Sequence, residues 1–218
     1  MGARSTAVGG DWNWTIDPPQ GWLVVPAAAT ESPEAISAWE QEVTEYVRAS
    51  FEQDVPDGWD LSDDDRAQIL ETVTESITSL RALADGAAGD GERVVAAFGV
   101  ADRTPVPVLV AVGMSDPGEP DDSLLEALGA KGGGAPLSPP SVEYLDLPDG
   151  DGVRVSRVDI DKDGGAWMGL GLARRTEYPD AVVDTVLFWR GQDLFVVPLM
   201  LERLDELLPT ITITRSDS

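Results

Sequence analysis

Between residues 152 and 190 apolar and polar positions alternate in runs of strand length, broken by turn chemistry. Residues 152–160 form one run, and Asp161-Lys162-Asp163-Gly164-Gly165 is the turn after it. Residues 166–178 form the next, Pro179-Asp180 the next break, and residues 182–190 the third run. After Gly191-Gln192, residues 193–200, apolar on both faces from Leu194 onward, predict a fourth strand of one antiparallel meander. Residues 201–208 change to helical spacing, and Ile211-Thr212-Ile213-Thr214 closes the series as a strand. The runs 182–190 and 193–200 are apolar on both faces, so the sheet they build must be covered on both sides.

The first half reads differently. Residues 11–16 alternate, with Trp12, Trp14 and Ile16 on one face. Residues 17–21 (Asp-Pro-Pro-Gln-Gly) are a turn, and residues 22–25 complete an aromatic N-terminal hairpin that includes Trp22. Ser32-Pro33-Glu34 starts a helix, with a hydroxyl cap, Pro at the first helical position and an acid in the first turn. Its apolar face holds Ile36, Trp39, Val43, Tyr46, Val47 and Phe51. Ser62 followed by Asp63, Asp64 and Asp65 starts a second helix, whose stripe is Ile69, Leu70, Val73, Ile77, Leu80 and Leu83. The three aspartates oppose the positive end of the helix dipole. Residues 93–101 and 106–114 read as strands, residues 123–128 as a short helix, and residues 141–147 as a further strand.

Helices and strands occur in blocks, which predicts an α+β fold: a three-layer α/β/α sandwich with a mainly antiparallel sheet. The two long helices are expected on one face, and the helices at 123–128 and 201–208 on the other. Residues 1–10 are expected to be a disordered leader, and residues 11–214 a single domain.

Composition narrows the chemistry. With 15 Lys+Arg against 40 Asp+Glu, the formal charge is -25. Such a chain is repelled by nucleic-acid phosphates and anionic membranes; a basic protein partner or a divalent cation fits it better, and solvation of the surface accounts for the acid equally. It has no Cys and no His, which excludes disulfides, thiolate or imidazole metal sites and His-based catalysis. No apolar run reaches membrane-spanning length, and the first ten residues hold no signal-peptide core, so a cytoplasmic location is expected.

The opening Trp14 to Trp22, with its Pro18-Pro19-x-Gly21-Trp22 pattern, precedes a helical middle. The chain ends on late strands followed by Leu204-Asp205-Glu206-Leu207-Leu208-Pro209-Thr210-Ile211. This order resembles the PsbP-like fold, shared by extrinsic photosystem subunits, a Ran-binding import factor and actinobacterial lipoproteins. The chain is also similar to uncharacterised actinobacterial proteins, some encoded near specialised secretion systems. The resemblance implies a binding or accessory role, and it brings no active site with it.

Three candidate sites remain. Asp159, Asp161 and Asp163, followed by Gly164, match the first half of a calcium loop, but its position 12 falls on Leu170. A polar hairpin turn accounts for the run, with a weak Ca²⁺ site as the alternative. Trp12, Trp14 and Trp22 form either a partner-binding aromatic surface or the sealed rim of a core. Arg154 and Arg157, with one of Arg174 and Arg175, form either an anion-binding patch or internal ion pairs. Arg174 and Arg175 are adjacent on one strand and must point to opposite faces. The small face of Gly169, Gly171 and Ala173, with Trp167, favours close helix packing.

The expected function is a non-enzymatic binding or accessory protein, an adaptor or chaperone for a secreted or basic protein partner. No cofactor, nucleic acid or membrane is expected, and the oligomeric state is open. Two alternatives stand beside it: a carboxylate-based hydrolase with a cleft beside residues 129–140, and a Ca²⁺-dependent structural module.

Overall fold

The structure is a computed structural model, and it describes residues 6–9, 12–53, 61–89, 91–101, 104–118, 122–131 and 136–215. In chain order its strands and helices are β1 (Thr6–Gly9), β2 (Trp12–Ile16), β3 (Trp22–Val25), α1 (Pro33–Gln53) and α2 (Asp63–Ala88). They continue with β4 (Arg93–Ala101), β5 (Thr104–Ser115), α3 (Asp122–Ala127), β6 (Ser141–Leu147) and β7 (Gly150–Ile160). The last are β8 (Ala166–Glu177), β9 (Val182–Gly191), α4 (Val197–Leu207) and β10 (Ile211–Arg215). The fold is α+β with antiparallel strand pairing. Its residues fall into two compact units, Met1–Gln20 with Val108–Ser218 and Gly21–Pro107.

In the first unit β6, β7, β8, β9 and β5 lie side by side in that order. β8 is the centre of this sheet, and its two faces are covered by different helices. Paired residues share a face, so Val153, Val155 and Ala173 lie on one side, where they form a cluster with Leu124, Leu125 and Leu128 at α3. Gly171 makes the approach possible: a Cβ there would sit 2.7 Å from Leu128 Cδ2. Leu170 and Leu172 point to the other side, toward α4, whose buried residues are Met200, Leu204 and Leu207. Burying one such leucine is worth roughly 1.5–3 kcal/mol. The unit is therefore layered α/β/α, but α3 and α4 oppose each other across β8 instead of sharing a face.

The run at 193–200 is not a fourth meander strand. Asp193 accepts a hydrogen bond from the Phe195 N–H (2.9 Å), a 3-10 turn covers Leu194–Val196, and Pro198 lies in the first turn of α4. Met200, Leu204 and Leu207 follow at spacings of four and three, which turn one stripe to the sheet. A continuous apolar run does not separate a buried strand from a buried helix, and here the capping Asp and the Pro decide for helix.

The N-terminal hairpin is also corrected. β2 lies between β1 and β10 in a separate three-stranded sheet, whereas β3 pairs with β4 in the second unit. Thr6–Gly9, expected within a disordered leader, is strand β1; residues 1–5 and 10 lie outside the described residues. In the second unit α2 packs on α1, β3 and β4. Ser62 and Asp65 close a reciprocal capping box at its start. The stripe of α2 is Val73, Ile77, Leu80, Ala84 and Ala87, while Leu70 and Leu83 are exposed. In α1, Trp39, Val43 and Val47 are buried, and Tyr46 turns outward with its ring edge-on to Phe98, 4.9 Å away.

The hairpin from β6 to β7 is closed by Pro148-Asp149, with Leu147 opposite Gly150. Gly150 adopts φ 140°, and a Cβ would lie 2.1 Å from the Arg175 carbonyl oxygen. No other residue type meets both requirements.

Two substitutions test this packing by urea denaturation. Gly171→Ala drives a methyl into Leu128 and should cost about 1–3 kcal/mol. Gly86→Ala, inside α2 where nothing lies within 4 Å of an added Cβ, should stabilise by about 0.4–1 kcal/mol.

Candidate functional site

Each residue singled out from the sequence has a defined place. Trp12, Trp14 and Trp22 are 7%, 1% and 3% exposed, so they are core side chains and not an aromatic docking surface. Every second residue of β2 turns inward, which buries Trp12, Trp14 and Ile16 together. Trp12 packs on Tyr178 with ring centroids 4.4 Å apart, and the Arg215 guanidinium lies 5.3 Å from its ring centroid.

The arginines of β7 and β8 are committed within the fold. Arg154 donates through Nη1 to Glu143 of β6 (2.9 Å) and through Nη2 to both carboxylate oxygens of Asp205 on α4 (2.5 and 2.8 Å). Burial works against its charge, but the hydrogen bonds and charges of Asp205 and Glu143 outweigh burial and raise its pKa above the usual value. Arg157 faces the other side of the sheet, where it binds Asp159 (2.5 and 3.1 Å) and the Gly129 carbonyl (2.8 Å). Arg154 and Arg157 are therefore on opposite faces and form no common patch. Arg175 makes a two-pronged contact with Asp184 on β9 (2.8 and 2.7 Å). Arg174, on the opposite face, donates to the Ile211 carbonyl (2.8 Å).

The calcium-like turn is a self-contained hairpin connection. Asp161 Oδ1 accepts from the N–H groups of Asp163 (2.9 Å) and Gly165 (2.7 Å), and Oδ2 accepts from Trp167 Nε1 (3.0 Å). Asp159 is held by Arg157. Two of the three carboxylates thus have partners that a cation would need to displace, and the bond directions are those of an Asx turn. Among the described residues no three acidic side chains gather as a metal site. The Trp167 hydrogen bond, then that of Gly165, then Asp163 and the Arg190 charge hold the Asp161 carboxyl below its ordinary pKa.

Sequence reasoning missed the outer edge of the sheet. β6 is the last strand, with β7 on one side. Val142 and Tyr144 project from it on the face that carries α3, and Tyr144 is 70% exposed. Asp146 and Asp151, opposite each other in the register, are exposed at the hairpin end of the same face. Alternation at 141–147 signals a strand, but nothing local says that its neighbour is missing. A second exposed apolar position is Phe195, 96% exposed beside Leu194.

No helix among the described residues is long and apolar enough to cross a membrane. No protein-family model matches the chain, and no curated protein matches it. Among solved structures it is similar to LpqN, described as involved in cell envelope biogenesis of Mycobacterium tuberculosis. The identity is 12%, the TM-score 0.45, and the match covers 98% of this chain and 91% of that one.

The Asp161 network makes a pH prediction. A carboxyl with a lowered folded pKa stabilises fully above the ordinary aspartate value, 3.8, and the contribution is lost as pH falls through the folded value. Asp161→Asn should therefore melt below the parent at pH 7, with the gap closing below the ordinary value. Equal melting temperatures at neutral pH would show that the network contributes nothing.

Proposed function

We propose that this chain is a non-enzymatic binding or accessory protein, an adaptor or chaperone for a basic protein partner, built on a PsbP-like fold and acting in the cytoplasm. The observation that carries the reading is where the positive charge goes. Arg81, Arg154, Arg157, Arg174, Arg175, Arg203 and Arg215 all lie within 4 Å of the chain's own carboxylates. These seven arginines engage nine of the chain's carboxylates, so its positive charge is held internally and the formal charge of -25 is left as a net acidic field. The resulting field attracts a basic partner and accelerates its encounter. The helices, the antiparallel sheet and the closing order of α4 then β10 agree with what the PsbP-like resemblance implies, and binding is the common role of that group.

The test is an affinity pull-down from the native organism at low salt, with the retained protein identified by mass spectrometry and the complex rebuilt from purified components. A basic partner that dissociates as salt rises is the expected result. Retention of nothing at low salt, or binding indifferent to salt, would remove the proposal. Cell fractionation checks the location: recovery of the protein with the envelope would overturn that part alone.

A further inference from the structure

We propose that β6 is a docking edge for an extended segment of the partner, which adds to the sheet as a further antiparallel strand. The inference rests on the binding role proposed above and gives that role a place and a ligand pattern.

Several observations converge on this strand. β6 is seven residues long and regular, paired with β7 from Ser141–Ser156 to Leu147–Gly150 with no shift of register. Its outer side therefore presents the alternate N–H and C=O groups that point away from β7, and among the described residues no strand covers them. Natural edges are usually guarded by charged residues, Pro or a bulge; residues 141–147 contain no Lys, Pro or bulge, and of their two charges Glu143 is tied to Arg154 while Asp146 stays exposed. Instead, two apolar side chains, Val142 and Tyr144, stand exposed on one face, with neighbours at every second position.

The charge pattern selects the occupant. On the face of Val142 and Tyr144, the next position toward the hairpin is Asp146, with Asp151 directly across from it. Glu143, on the other face, is already bound by Arg154. An incoming antiparallel strand meets position 146 first, then 144, then 142. It fits when it reads basic, any residue, apolar, any residue, apolar. A lysine or arginine then meets Asp146 and Asp151, and the two apolar side chains cover Tyr144 and Val142. A second copy of this chain fits poorly. Two-fold pairing centred on Tyr144 sets Val142 against Asp146 of the copy twice, and each chain brings a charge of -25.

The probe is a fluorescent seven-residue peptide with lysine, valine and valine at alternate positions and threonine between them. Binding is followed by fluorescence anisotropy at low salt. The parent protein should bind it, and Val142→Lys with Tyr144→Lys should weaken binding by about tenfold or more. Both positions are exposed, and an unchanged circular dichroism spectrum and melting temperature identify loss of binding without loss of fold. Methylating the peptide backbone amides on its pairing side should abolish binding, because strand addition depends on those donors. Equal binding of the methylated peptide, of a sequence-scrambled peptide or by the double variant overturns the proposal. So does a parent that sediments as a dimer and becomes monomeric on Tyr144→Lys, which would assign the edge to a second copy. If the pull-down partner is retained equally by the double variant, the edge is refuted while the adaptor role stands. If the parent retains no partner, the role fails first.

Discussion

Strand β8 is enclosed on both faces, and the architecture of its unit follows from how its side chains divide. The face of Gly169, Gly171 and Ala173 is nearly flat, so α3 approaches until Leu128 lies against the backbone of Gly171. The face of Leu170 and Leu172 is bulky and fills the space beneath α4. Small against large allows one strand to serve two helix layers at close-packed density. Reversing the alternation by one residue would send the leucines into α3 and leave α4 above glycine.

The same strand ends in two arginines that both become buried. Placing a guanidinium in a core costs several kcal/mol unless its donors are matched. Arg175 is matched by the forked contact with Asp184, whereas Arg174 is matched only in part: Nη2 donates to the Ile211 carbonyl, the Asp149 carboxylate lies 3.8 Å away, and Nε is buried without a hydrogen-bond partner. The Arg174 contact joins the central strand of the large sheet to the final strand of the small one. In this unit charge is thus used as a directional tie.

Much of this was legible in the residues. The capping box at Ser62 and Asp65, the start of α1 at Pro33 and the meander from β7 to β9 follow from local turn and cap chemistry, which acts within a few residues. The split of Arg174 and Arg175 follows from strand alternation alone. Residues 193–200 do not reveal their helix because the run from Leu194 to Met200 is apolar at every position and so shows no period. The supposed hairpin at Trp12 and Trp22 failed because β2 is paired with β10, across nearly the whole chain. The edge character of β6 was invisible for a related reason: exposure of Val142 and Tyr144 depends on which strand is absent beside them. Nothing along the sequence encodes an absence.

Gly150 carries a consequence larger than its size. With φ 140° and the Arg175 carbonyl where a Cβ would be, it fixes the two-residue loop and with it the offset between β6 and β7. Any accommodating change there, such as a longer loop, would tend to slide β6 by one position. A slide of one residue exchanges the two sides of the strand, turning Glu143 and Leu145 to where Val142 and Tyr144 now stand. The identity of an outward surface is therefore set at a turn that never touches it. The outer face of β6 can be altered one side chain at a time, while the glycine that aims it has no substitute.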